Sequence, residues 1–462
     1  MDIDIFSVKP VILWTDIMIW LLVISASAFL LMLRQNPEAR AQWRQVFSSR
    51  LGMVTFVIIL SYIALALVDS LHFRKALPPV EGQNSSTVYY SNTVHSVLDL
   101  ALGEMGELKE RSYSAPLSLK SFTKENMIDA SGEPYRDYPD LQHAGSHLND
   151  PADYNTDLLL QSATGMGKGL IVGLILCTLL KMSTRRSTFP WGAAMATILV
   201  IAMVLGWLIH MGNLYHVLGT DRAGNDALYA SIKGIRTGVL IGTLATLIMM
   251  PIAITLGIFA GYFRGWVDDV VQYLYTTLSS IPGILLIAAA ILQFQVFIDL
   301  NPGYFEVGLE KADARFLGLC FILGITSWAG LCRLLRAETL KISQLPYVQA
   351  AHAFGVSHIR VISRHILPNV MHIILITFVL DFSGLILAEA VLSYIGVGVD
   401  STMPSWGNMI NLARSELSQD PVVWWNLIGA FFFMFTLVLS ANLFSDLVND
   451  AFNPKNRQER AV

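Results

Sequence analysis

The chain has 462 residues, of which 54% are hydrophobic and only 14% charged, and its formal net charge is −4. A soluble protein of this length carries more charge and less apolar bulk, so the composition excludes an ordinary globular enzyme and points to the bilayer as solvent. Basic residues are scattered without aromatic interleaving, which excludes a nucleic-acid footprint.

Nine runs are long and apolar enough to cross a membrane, a task that takes about 20 residues. In chain order they lie near 12–33, 51–70, 168–182, 190–211, 235–258, 275–295, 315–336, 370–395 and 426–448. The first follows an acidic Met1 to Phe6 and lacks the basic start and small-residue cleavage site of a signal peptide, so it reads as a mature span. Arg34, Arg40, Arg44 and Arg50 lie after span one, Lys181, Arg185 and Arg186 after span three, and Arg333, Arg336, Lys341, Arg360 and Arg364 around the loop after span seven. Lysine and arginine in short loops resist translocation. Nine spans put all three clusters on one face, with the N-terminus outside and a cytoplasmic tail carrying Lys455, Arg457 and Arg460.

Between spans two and three the composition turns polar, over about 71–166, and this segment is expected outside the membrane with a small fold of its own or partial disorder. His143 and His147 share a helical spacing, but no further ligands accompany them and they read as solvated histidines. Met166-Gly-Lys168-Gly169 lacks the earlier glycine and the Ser/Thr of a phosphate loop. The three cysteines, Cys177, Cys320 and Cys332, fall in apolar runs and read as small buried residues. No catalytic motif and no metal site is legible.

Gly234, Gly238 and Gly242 recur at four-residue spacing, as do Gly257 and Gly261, which suits close helix packing. Between spans seven and eight, Pro346 suits the first turn of a helix and Gly355 its left-handed end, so a short helix is predicted over 346–354. Its Ala350, Ala351 and Ala353 give it low bulk, while Tyr347 and Phe354 offer anchoring rings, the pattern of a compact docking knob. In span eight, Asp381 and Glu389 are eight residues apart and share roughly one helix face. Charge at membrane depth is costly, about 2.5 to 3.5 kcal/mol on insertion scales, so each should face protein or a water-filled pathway.

Gln349-Ala350-Ala351, three residues, Gly355, then a spacer ending in Ile366-Leu367-Pro368 resembles the EAA loop of ABC-importer permeases. Gln349 stands where that family usually has Glu, which removes a charge and leaves a hydrogen-bonding side chain. The resemblance runs from about Leu218 to Pro454 and is nearest to the second permease subunit of dipeptide and oligopeptide importers. Leu218-Gly-Thr-Asp-Arg-Ala-Gly-Asn-Asp226, Ala260-Gly-Tyr-Phe-Arg-Gly-Trp-Val-Asp268 and Pro404-Ser-Trp-Gly407 match local segments of that subfamily, and residues 51–70 resemble its first span. About 145 residues between that span and Leu218 have no counterpart there, nor does the first span.

The resemblance implies an all-α polytopic protein with a six-span type I permease core, about three extra N-terminal spans and a polar extracytoplasmic insert. Its segments are then 1–50, 51–70, the insert 71–166, two extra spans in 167–211, the core 212–454 and a tail 455–462. It implies a non-enzyme in the bacterial inner membrane, with no cofactor of its own. Partners would be a homologous permease, two cytoplasmic ATPase subunits carrying ATP and magnesium, and an extracytoplasmic substrate-binding protein. Tyr347, Gln349, Ala350, Ala351, Phe354, Gly355, Leu367 and Pro368 would couple to the ATPases, and Asp381 and Glu389 are pathway candidates. Glu389 within Ala388-Glu-Ala390 also matches the family, whereas Asp381 does not. The cargo would be short peptides, although the architecture also serves nickel and peptide-like compounds. Two other readings are an ion-coupled secondary transporter using Asp381 and Glu389, and a membrane scaffold or sensor acting through 71–166.

Overall fold

A computed structural model describes residues 8–35, 37–77, 89–128, 133–148, 150–183, 189–301 and 308–452. Arg185 and Arg186, the tail basic residues and parts of the 71–166 segment lie outside them. Strand β1 (Val8–Val11) leads into α1 (Trp14–Gln35), α2 (Pro37–Ser48) and α3 (Arg50–Asp69). Then come β2 (His72–Lys75), β3 (His95–Ser96), α4 (Val97–Leu102), β4 (Glu125–Ile128) and β5 (Pro134–Asp137). The remaining helices are α5 (Tyr154–Ser183), α6 (Trp191–Gly212), α7 (Ala227–Phe263), α8 (Trp266–Ser280), α9 (Gly283–Leu300), α10 (Gly308–Ser327), α11 (Ala329–Ile342), α12 (Pro346–Ala353), α13 (His358–Val361), α14 (Leu367–Tyr394), α15 (Trp406–Glu416) and α16 (Trp425–Phe452).

Among the described residues, eight helical stretches are long and apolar enough to cross a membrane. The expected first span corresponds to α1, whose apolar run Trp14–Ala28 is shorter than the other eight. Three spans differ from expectation: the run near 315–336 falls across α10 and α11, which part at Trp328. The run near 275–295 is divided, because Pro282 cannot continue the amphipathic α8, and the apolar stretch begins again as α9. The third span, expected over 168–182, is a 30-residue helix, α5, that starts inside the polar 71–166 segment. A hydropathy window cannot see helix that continues beyond the apolar run, and here the first turns carry Asn155, Asp157 and Gln161.

The chain forms two compact units, one from the residues up to Trp20, Met53–Thr237 and Pro404–Leu437, the other from Leu21–Gly52, Gly238–Met403 and Val438 onward. In the first unit, β2 pairs antiparallel with both β1 and β3, and β4 pairs with β5 as a separate antiparallel ribbon. Helix α4 opens with a reciprocal cap in which Ser96 and Asp99 satisfy each other's backbone N–H groups. The expectation left a small fold or partial disorder open for this region, and its described part is folded onto the loop before α7.

That attachment is built from charge and backbone. The Glu110 carboxylate accepts the N–H groups of Gln142, His143 and Ala144 at 2.8, 2.9 and 3.3 Å. It lies 3.5 Å from His216 Nε2, whose Nδ1 is 2.7 Å from Asp226, and all three side chains are buried. Asp226 also caps α7 through the Tyr229 N–H. At Gly224, with φ +76°, any β-carbon would strike the Glu110 carbonyl, so only glycine fits beneath that strand of chain. Trp425 Nε1 donates to the Thr220 carbonyl at 2.9 Å, and its ring meets Phe122 edge-on at 5.0 Å, a pairing worth about 0.5 to 1.5 kcal/mol.

Burial alone would push the Glu110 carboxyl up, but the neighbouring His216 imidazole and the bonds from three backbone N–H groups outweigh it and hold the group at about 2. Burial alone would lower His216, yet Asp226 and Glu110 raise it to about 9. Stabilisation from the raised histidine is complete below its ordinary 6.5 and lost as pH rises through about 9. Stabilisation from the depressed carboxylate is complete above 4.5 and lost as pH falls through about 2. Thermal unfolding followed in detergent is therefore expected to show a plateau between about pH 4.5 and 6.5, falling on either side. A His216→Gln variant should lose the alkaline limb, and an unchanged limb would contradict the assignment.

The second unit packs its core where α7, α11 and α14 meet, around Met249, Ala253, Leu331, Leu335, Val370 and Ile374. The four-residue glycine spacing is used for packing. A β-carbon at Gly257 would sit 2.8 Å from the Cys332 carbonyl, and one at Gly261 2.7 Å from that of Arg336, so α11 lies directly on the α7 backbone. Gly242 similarly admits the Phe382 ring.

Candidate functional site

The short helix α12 forms over 346–353, one residue shorter than predicted, because Phe354 is its C-cap. Pro346 occupies the first turn, and Gly355 has φ +71°. The end is a Schellman closure: the Gly355 N–H donates to the His352 carbonyl at 2.9 Å and the Val356 N–H to that of Ala351 at 3.1 Å. Val348 is fully buried, and Ala351 and Val356 pack against the same core. Burying Val348 contributes about 1.5 kcal/mol toward holding the helix down.

The opposite face is open. Gln349, Ala350 and Ala353 are exposed, Tyr347 is 44% exposed and Phe354 86%. A β-carbon at Gly355 would meet nothing, so this glycine is required by its backbone angle and not by crowding. Tyr347 is steadied by Asn369, whose Nδ2 donates to its hydroxyl at 3.2 Å, and Gln349 donates to the Gln344 carbonyl at 3.2 Å. Leu367 is half-buried against the core and Pro368 exposed, at the start of α14.

Several residues that sequence reasoning passed over complete the platform. Ile359, just beyond α12, is also 81% exposed. The Tyr262 hydroxyl lies 3.0 Å from His352 Nε2 and 2.9 Å from His358 Nδ1, tying the end of α7 to both α12 and α13. Arg264 donates to Ser343 at 2.9 Å. Arg336 grips Asp268 with two bonds, one of them 2.6 Å from Nη2, and this contact holds the Asp268 carboxyl below its ordinary value. The signal for these was histidine and tyrosine recurring at helix ends, which single-sequence spacing cannot connect.

The two intramembrane carboxylates have different surroundings. Glu389 is 3% exposed and accepts the Ser393 hydroxyl at 2.6 Å, while Ser393 Oγ accepts the Val399 N–H at 3.2 Å. Asp381 is half-buried, and no hydrogen bond to it occurs among the described residues. Eight residues of α14 separate them by about 12 Å along the axis, so they do not form a pair. His147, weighed above as a metal ligand, pairs with Asp157 at 2.8 Å.

Residues 253–458 match the family described as binding-protein-dependent transport system inner membrane component. That span contains α12, its platform and α14. A glutathione transport system permease protein of Pectobacterium atrosepticum is 33% identical over 240 residues, covering 52% of this chain and 73% of the relative. The chain belongs to this family of permeases. An oligopeptide transport system permease protein of Haemophilus influenzae is 31% identical over 244 residues, 53% of this chain and 71% of that one. A peptidoglycan transport system permease protein of Agrobacterium fabrum is 36% identical over 248 residues, 53% and 58% of the two. The permease is thus an all-α, multi-pass membrane protein of the ABC importer class. About half of the chain lies outside each of these alignments.

Proposed function

We propose that the permease forms one half of the translocation pathway of an ATP-driven importer of short peptides, and that α12 couples it to separate ATPase subunits. The reading is carried by α12 itself: a low-bulk helix, fixed by one buried valine and a Schellman closure, that turns Tyr347, Ala350, Ala353 and the 86% exposed Phe354 away from the core. Such a knob suits a cleft in a partner protein, with the rings as anchors. A homologous permease would complete the pathway, and an extracytoplasmic binding protein would deliver the cargo. ATP and magnesium belong to the ATPases, and this chain hydrolyses nothing.

In this reading the N-terminus and the 71–166 segment are extracytoplasmic, and the loop with α12 and the chain's end are cytoplasmic. Closure of the ATPases moves α12, and the glycine-packed α7 and α11 transmit that motion as a body. Coupling requires α12 to bind the open and closed ATPases with different affinity. Asp381 is the better pathway candidate, since Glu389 has its hydrogen bond inside the helix packing.

The test is uptake of a labelled dipeptide into vesicles carrying the reconstituted four-subunit complex and binding protein. Accumulation is expected with ATP on the ATPase side and in the presence of a protonophore. Uptake by this permease without ATPases, driven by an ion gradient, would overturn the proposal in favour of the secondary-transporter reading.

A further inference from the structure

Helices α5 and α6 meet through small residues. A side chain on Gly169 would strike the Ala202 carbonyl, and one on Gly206 would lie 2.7 Å from the Gly169 nitrogen. On the side facing α3 this hairpin leaves a groove of about 950 Å³, walled by Ala64 and Leu65 of α3, Val172 and Leu176 of α5, and Ile201 and Leu205 of α6. That volume is at the upper end of sites that hold a drug-sized molecule.

One end of the groove is polar. Lys168 and His210 both line it, and Lys168 Nζ donates to His210 Nδ1 at 3.2 Å. The histidine is fixed in that tautomer because its Nε2 donates to Gln161 Oε1 at 3.0 Å. No carboxylate pairs with Lys168 among the described residues, so its exposed ammonium keeps unused donors and an uncompensated charge beside apolar walls. The coupling reading gives this hairpin no task.

We propose that the groove binds one membrane phospholipid with an anionic headgroup, one of its two acyl chains lying along α5 and α6 and its phosphate at Lys168. From Lys168 to Leu180, the deepest α5 residue lining it, the groove runs about 18 Å, close to the depth of one leaflet. Apolar walls with one cation at the headgroup level complement such a lipid in charge as well as in length. A transmembrane helix would leave Lys168 unneutralised unless it carried a carboxylate at that level, a costly group in a span.

The full-length permease in nanodiscs doped with photoactivatable phosphatidylglycerol or phosphatidylcholine tests this. Mass adducts on peptides covering 168–180 and 198–213 are expected to be about fivefold more abundant with the anionic lipid, the ratio that one lysine near a charged headgroup supplies. Lys168→Gln should bring the two lipids within twofold of each other, and Lys168→Arg should restore the preference. Ala64→Trp should remove both adducts from the groove while leaving those on the exposed Phe431, Phe432 and Phe435 unchanged. The proposal fails if both headgroups label equally in the unmodified protein, or if the preference survives Lys168→Gln. It fails equally if adducts vanish when the second permease is added, because the groove would then seat a partner helix.

Discussion

Phe354→Ala is expected to lower ATP-driven uptake about thirtyfold or more while leaving the permease folded. The ring is 86% exposed in the isolated chain, so its removal costs the fold no more than about 0.5 kcal/mol. As the anchor of a knob seated in a partner it would carry a hot-spot contribution of 2 kcal/mol or more, and 1.4 kcal/mol is a factor of ten in affinity. Uptake in reconstituted vesicles, copurification of the ATPases and thermal unfolding together separate the two effects. Unimpaired transport with bound ATPases would mean that Phe354 does not anchor the coupling helix. Gly355→Val should act differently, because a β-branched residue at φ +71° unwinds the closure of α12 and displaces Phe354 as well as losing stability.

Arg236→Leu is expected to destabilise the first unit by about 3 to 5 kcal/mol. Arg236, 6% exposed, holds Asp16 at 2.7 Å, Thr15 at 2.7 Å and Ser70 at 3.1 Å, and Asp16 is itself 3% exposed. Removing the guanidinium strands a buried carboxylate that keeps, among the described residues, His72 at 2.9 Å and the Leu13 N–H at 3.1 Å. Earlier protease cleavage near the start of α1 and a lower unfolding temperature in detergent should follow. Arg236→Lys should rescue poorly, since a point charge cannot reach three acceptors from one fork. Pairing Arg236→Leu with Asp16→Asn should recover much of the loss, because the stranded charge is then gone. An Arg236→Leu protein that melts with the parent would refute this account of how α1 is held.

A second cluster, Lys233 with Asp69 at 2.6 Å and Asp99 at 2.9 Å, lies three residues earlier on α7. Together these ion pairs attach α1, α3 and α4 to the early turns of α7, the helix that runs into the family-matched residues 253–458. Charge in a low-dielectric setting fixes register where apolar contacts alone would allow sliding.

The sequence by itself determined the membrane class, most of the spans and the short helix α12, because each depends on residues close together in the chain. About 20 apolar residues make a span whatever surrounds them. Pro346 and Gly355 punctuate α12 through their own backbone preferences. Tertiary structure decided the rest. Pro282 divides α8 from α9 where hydropathy alone reads one run, and α5 continues into polar sequence because its neighbours support it. Asp16 meets Arg236 across 220 positions, and Lys75 of β2 faces Val8 of β1. Glu110 meets His216 over a buried distance of 3.5 Å that neither residue signals locally. Such pairings cost loop closure and desolvation before they return any stability, so they exist only where the whole chain has already brought the partners together.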